Sequence, residues 1–91
     1  ANFNIMGADS TNWALSDTAV GDEIFMHSFC TIDCDGTPSW TDLNNASYDT
    51  LATGITAGSP QIFDLQLGAP STTIHYTQES TTVTIQVIDP S

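Results

Sequence analysis

Asp33, Asp35 and Gly36 form a D-x-D-G element, with Cys30 and Cys34 around it and His27 just upstream. Carboxylates at alternate positions of an irregular loop can point at one centre, and a glycine permits the sharp turn that calcium loops need. Asp33 and Asp35 are therefore candidate Ca²⁺ ligands, and Ca²⁺ is the one cofactor the chain suggests. The full EF-hand spacing is missing: no Asp or Glu lies twelve residues after Asp33, where Asn45 stands. An ordinary polar turn uses the same residues for backbone reasons.

Cys30 and Cys34 are the only 2 cysteines, and an even count in an exported chain reads as a disulfide. Closing so short a loop contributes about 2 kcal/mol through loop-closure entropy. With His27 the cysteines also suggest three zinc ligands. On a strand, however, His27 and Cys30 face opposite sides, and no clear fourth ligand follows. A half-buried histidine beside a disulfide is the simpler reading. Asn45-Ala46-Ser47 matches the N-x-S/T glycosylation acceptor, which marks Asn45 as a candidate in a host that performs the modification. Trp13, Trp40, Tyr48 and Tyr76 could stack on sugar rings, or simply fill a small core. Catalysis finds little support. No serine sits in a G-x-S-x-G elbow, and neither histidine belongs to a recognisable motif.

The elements that position these residues are strands. No stretch repeats apolar residues at helical spacing for three turns, and β-branched residues run throughout. In residues 1–6, Phe3 and Ile5 alternate with polar neighbours, and Trp13 to Leu15 is a short apolar piece. Residues 23–32 are the longest strand candidate. Ile24, Met26, Ser28 and Cys30 share one face and Phe25, His27 and Phe29 the other, so both faces look largely buried. After the turn cluster 33–38, Trp40 opens another piece, and Tyr48, Leu51 and Ile55 anchor residues 47–55. Residues 61–67 predict Phe63, Leu65 and Leu67 inward, with Ile62, Asp64 and Gln66 outward. Ile74 and Tyr76 mark a short segment. Residues 81–88 then alternate Val83, Ile85 and Val87 against Thr82, Thr84 and Gln86, and Pro90 stops them. About seven short strands and no helices predict one all-β domain over residues 1–91, a small antiparallel β-sandwich.

The run from Gly58 to Pro70, followed by Tyr76 and residues 81–87, resembles the closing strands of immunoglobulin-like sandwich repeats of bacterial and archaeal surface proteins. Trp13-Ala14-Leu15, residues 26–29, Trp40-Thr41 and residues 48–52 are similar to such repeats too. The resemblance implies an immunoglobulin-like fold and an adhesive, filament-forming or spacer role. It supplies no catalytic residues and says nothing of the loop between Cys30 and Cys34.

Charge narrows the partners. The chain has no Lys or Arg and 11 Asp or Glu, a formal net charge of -11. Nucleic-acid binding draws on cations that neutralise phosphates, and an anionic membrane surface demands them too. Neither partner is expected. No apolar run approaches the roughly 18 residues of a membrane-spanning helix, so membrane insertion is not expected either. An acidic shell suits a protein dispersed outside the cell, one that binds divalent cations, or one working at high salt. The start at Ala1 suggests a processed N-terminus or an excised fragment.

The expected function is that of an extracellular or cell-surface structural module, a pilus-like filament subunit or a surface-protein repeat. Its partners would be further copies of itself or neighbouring surface-protein domains, joined through edge or donated strands. Phe3, Ile5, Val83, Ile85 and Val87 are the assembly candidates because they alternate at the chain ends. The alternative is a β-sandwich that binds carbohydrate or Ca²⁺.

Overall fold

The computed structural model describes residues 1–75 and 78–88. Tyr76 and Pro90 lie outside them. The described residues contain seven strands and no helix, as the alternating pattern predicts. The strands are β1 (Asn2–Met6), β2 (Ala14–Leu15), β3 (Ile24–Cys30), β4 (Thr41–Asp42), β5 (Asp49–Ala52), β6 (Asp64–Gly68) and β7 (Thr84–Ile88).

They form two sheets. In the first, β1 lies between β5 and β7, antiparallel to both. In the second, β3 pairs along its length with β6 on one side, and with the short strands β2 and β4 on the other. One departure from an all-antiparallel arrangement appears. β2 and β3 run parallel, held by Ala14 N–H to Glu23 O at 2.9 Å and Ser16 N–H to Phe25 O at 2.9 Å. The cause is the connection over residues 16–23, which leaves β2 and folds back to its start. Glu23 ends it in the left-handed region at φ 58, a conformation uncommon outside glycine.

Ile5, Phe29, Leu43 and Leu51 form the buried core, one set of residues drawn from both sheets. Phe3, Leu15, Phe63 and Val83 pack against it. The expected two-sided burial of the long strand is found, with Phe25, His27, Ser28, Phe29 and Cys30 all buried. Trp13 is half-buried beside the buried ring of Phe25. Its ring lies 6.3 Å from that of Phe25, and its Nε1–H donates to Thr73 Oγ1 at 3.2 Å.

Gly7 permits the close approach where β1 hands over to the next layer. A Cβ there would lie 2.6 Å from Leu15 and 3.2 Å from Leu43, so side chains larger than hydrogen are excluded unless the core shifts.

The expectation that Leu65 and Leu67 are buried is corrected. They are 47% and 57% exposed. Their orientation is nonetheless inward, and their exposure has a topological cause described next.

Candidate assembly surface

Residues directly opposite each other in an antiparallel ladder point to the same face of the sheet. Leu65 is opposite Phe29, a member of the core shared by both sheets, and Leu67 is opposite His27 on the same face of β3, so the two leucines lie on the inner face of the second sheet. Ile85 is opposite Ile5 and Val87 opposite Phe3, which places them on the inner face of the first. Phe63 and Val83, of matching parity in each segment, pack onto the core and confirm the orientation. Even so, Ile85 is 41% and Val87 64% exposed.

The two flanks of the molecule therefore differ. On the flank of β4 and β5, Leu43 and Leu51 are 0% and 6% exposed, and Gly7 N–H donates to Asn44 O at 3.0 Å where the chain crosses between sheets. That side buries its apolar residues, although β4 and β5 are edge strands as well. On the flank of β6 and β7, inner-face side chains are left uncovered. Leu67 of β6 and Thr81, which leads into β7, line one small cavity of about 40 Å³ with Trp13 and Phe25. Both strands thus open on the same side. Among the described residues nothing pairs with the outer edge of either strand. Unpaired edge groups are a template for another strand.

The expected assembly residues separate accordingly. Phe3 and Ile5 belong to β1, whose two edges are occupied by β5 and β7, and they serve the chain's own core. Val83 packs on that core as well. Ile85 and Val87 remain at the surface.

The segment joining β6 to β7 is fastened by two carboxylates that sequence reading does not single out. Glu23 accepts hydrogen bonds from the Ile74 N–H and from Thr73 Oγ1 at 2.9 Å, and its Oε2 lies 2.9 Å from His75 Nδ1. Those partners, His75 first, hold the Glu23 carboxyl below its ordinary value. Glu79 accepts from Ser10 Oγ at 2.8 Å and from Asn12 N–H and Nδ2 at 3.0 and 2.9 Å. Asn12 and Ser10 lower its pKa likewise. The only hint in the sequence was the type itself, since these are the chain's 2 glutamates.

The remaining candidates sit elsewhere. Cys30 and Cys34 are joined by a disulfide with Cα atoms 5.8 Å apart, as expected, which also removes both from metal ligation. Asp33 and Asp35 are exposed on the loop this bond closes, where Gly36 N–H donates to Asp33 O at 3.0 Å. No group of three or more His, Cys, Asp or Glu side chains converges among the described residues. Asn45 is exposed, and its Nδ2 donates to Asp9 Oδ1 at 2.8 Å. Tyr48 is 39% exposed.

No helix of the described residues is long and apolar enough to cross a membrane. Comparison with protein-family models, curated proteins and solved structures returned no match.

Proposed function

We propose that the chain is an extracellular structural module that assembles edge to edge through its strands, as a surface-filament subunit or as a repeat of a surface protein. One observation carries this reading. Two edge strands, β6 and β7, keep free outer edges while their inner-face residues Leu65, Leu67, Ile85 and Val87 stay exposed, unlike Leu43 and Leu51 beside the edges of β4 and β5. Apolar inner-face surface beside unpaired backbone is stabilised most directly by a further strand, which supplies hydrogen bonds and alternating side chains together. The disulfide supports an oxidising compartment. The charge of -11, with no Lys or Arg, accords with a protein that stays dispersed until the correct edges meet. An immunoglobulin-like relationship would agree with this role.

Electron microscopy of undenatured material from the producing cells tests the reading. Regular fibres or rows containing the chain are the expected result. Isolated single particles would contradict assembly.

A further inference from the structure

We propose that the open β6/β7 flank is covered by the same flank of a second copy of this chain, edge strand against edge strand. The inference rests on the assembly reading above and specifies its elementary contact.

The free edges restrict the occupant first. A lipid or small apolar ligand would cover Leu65, Leu67, Ile85 and Val87 but leave the N–H and C=O groups of two edges unpaired. A strand satisfies both. Charge then selects among strands. Residues 65–78 and 80–88 contain no carboxylate, whereas 8 of the 11 acids fall within residues 1–49. Among the described residues the acids of the flank are Asp64, at the start of β6, and Glu79, which accepts hydrogen bonds from Ser10 and Asn12, and Asp89 follows β7 in the sequence. A cationic foreign partner would be drawn to the acid-rich remainder of the surface. A second copy carries only acids, and like charges repel it wherever carboxylates are dense. The flank poorest in carboxylates is where two such copies can approach.

A self-match is also sterically simple. If two β7 strands pair antiparallel about Gln86, Ile85 of each copy meets Val87 of the other, and Thr84 meets Ile88. No carboxylate falls opposite a carboxylate. Such a contact is isologous and closes at two copies, so a filament would need a further, heterologous contact. Dimers and fibres therefore report on different claims.

Sedimentation equilibrium of the 91-residue chain up to millimolar concentration provides the test. It is run at low salt and at about 1 M NaCl, where the screening length falls to roughly 3 Å. A dimer that tightens with salt is expected, because the residual repulsion between acidic bodies is screened. Leu67→Thr combined with Val87→Thr keeps strand-forming residues at exposed positions and removes apolar contact. It is expected to weaken the dimer about tenfold or more. Thr50→Asn, on the exposed face of β5, should leave the dimer unchanged. Thermal melts check that each variant is folded. Wild-type dimers insensitive to the double change, or broken by Thr50→Asn, would overturn this flank while leaving self-assembly standing. A chain that stays monomeric at millimolar concentration in high salt would overturn the second copy, and with it the homopolymer form of the assembly reading.

Discussion

His27 is the most informative single side chain. It is 6% exposed on the inner face of β3, its Nδ1 has no hydrogen-bond partner, and burial pushes its pKa below the ordinary 6.5. The unfolded chain therefore takes up a proton near pH 6.5 that the folded chain resists. Stability should be highest above that pH and fall as pH drops through 6.5 towards the depressed folded value. Urea unfolding at pH 7.5 and 5.5 checks this, and His27→Leu should abolish the difference between the two. Glu23 and Glu79 act in a lower window. Their folded pKa values are depressed, so their stabilisation is present above the ordinary 4.5 and is lost as pH falls below it. Melts of Glu79→Gln should accordingly show a smaller loss between neutral pH and pH 3.5 than wild type. Asp49 runs the other way. Burial and then Asp17 raise its pKa, which offsets part of that acid loss. The chemistry legible at this scale was the disulfide, because an isolated cysteine pair has few alternatives. The carboxylate fastenings were not, since their partners are 50 or more residues away in sequence, as between Thr73 and Glu23.

At the scale of elements, one rung of the first sheet separates core from surface. Ile5 and Ile85 face each other, yet Ile5 is fully buried and Ile85 is 41% exposed. Ile5→Ala should cost about 2–5 kcal/mol through lost burial and a residual cavity. Val87→Thr, two rungs along on the open flank, should change the monomer by no more than about 0.5 kcal/mol. Urea midpoints of both variants measured on dilute protein make the comparison, and equal losses would place β7 inside a closed core. Strand positions were readable because apolar and polar residues alternate on β1, β6 and β7. Parity was readable for the same reason, down to the inward direction of Leu65 and Leu67. Burial was not, because it depends on what covers each edge strand, and Leu51 on edge strand β5 is buried while Leu65 and Leu67 on edge strand β6 are not. The parallel pairing of β2 with β3 was equally hidden, as it depends on how residues 16–23 fold back.

The whole molecule is an acidic body, and the described residues leave an acid-poor side of it uncovered. Its self-repulsion lacks any internal Lys or Arg to offset it, so added salt should raise the melting temperature while also promoting association. These two effects separate in dilution: the first persists for the monomer and the second vanishes. A melting temperature indifferent to salt would mean that the 11 acids are too widely spaced to oppose folding. The charge balance was legible from composition alone. Its placement relative to the free edges needed the sheet topology, because only the strand order shows that β6 and β7 lie at sheet edges.

Amide hydrogen exchange read strand by strand, in dilute and in concentrated solution, tests the central claim most directly. If copies join through the open flank, the amides of β6 and β7 that face outward become protected as concentration rises, while those of β4 and β5 do not change. Protection appearing on β4 and β5 instead, or on no strand at all, would contradict the claim.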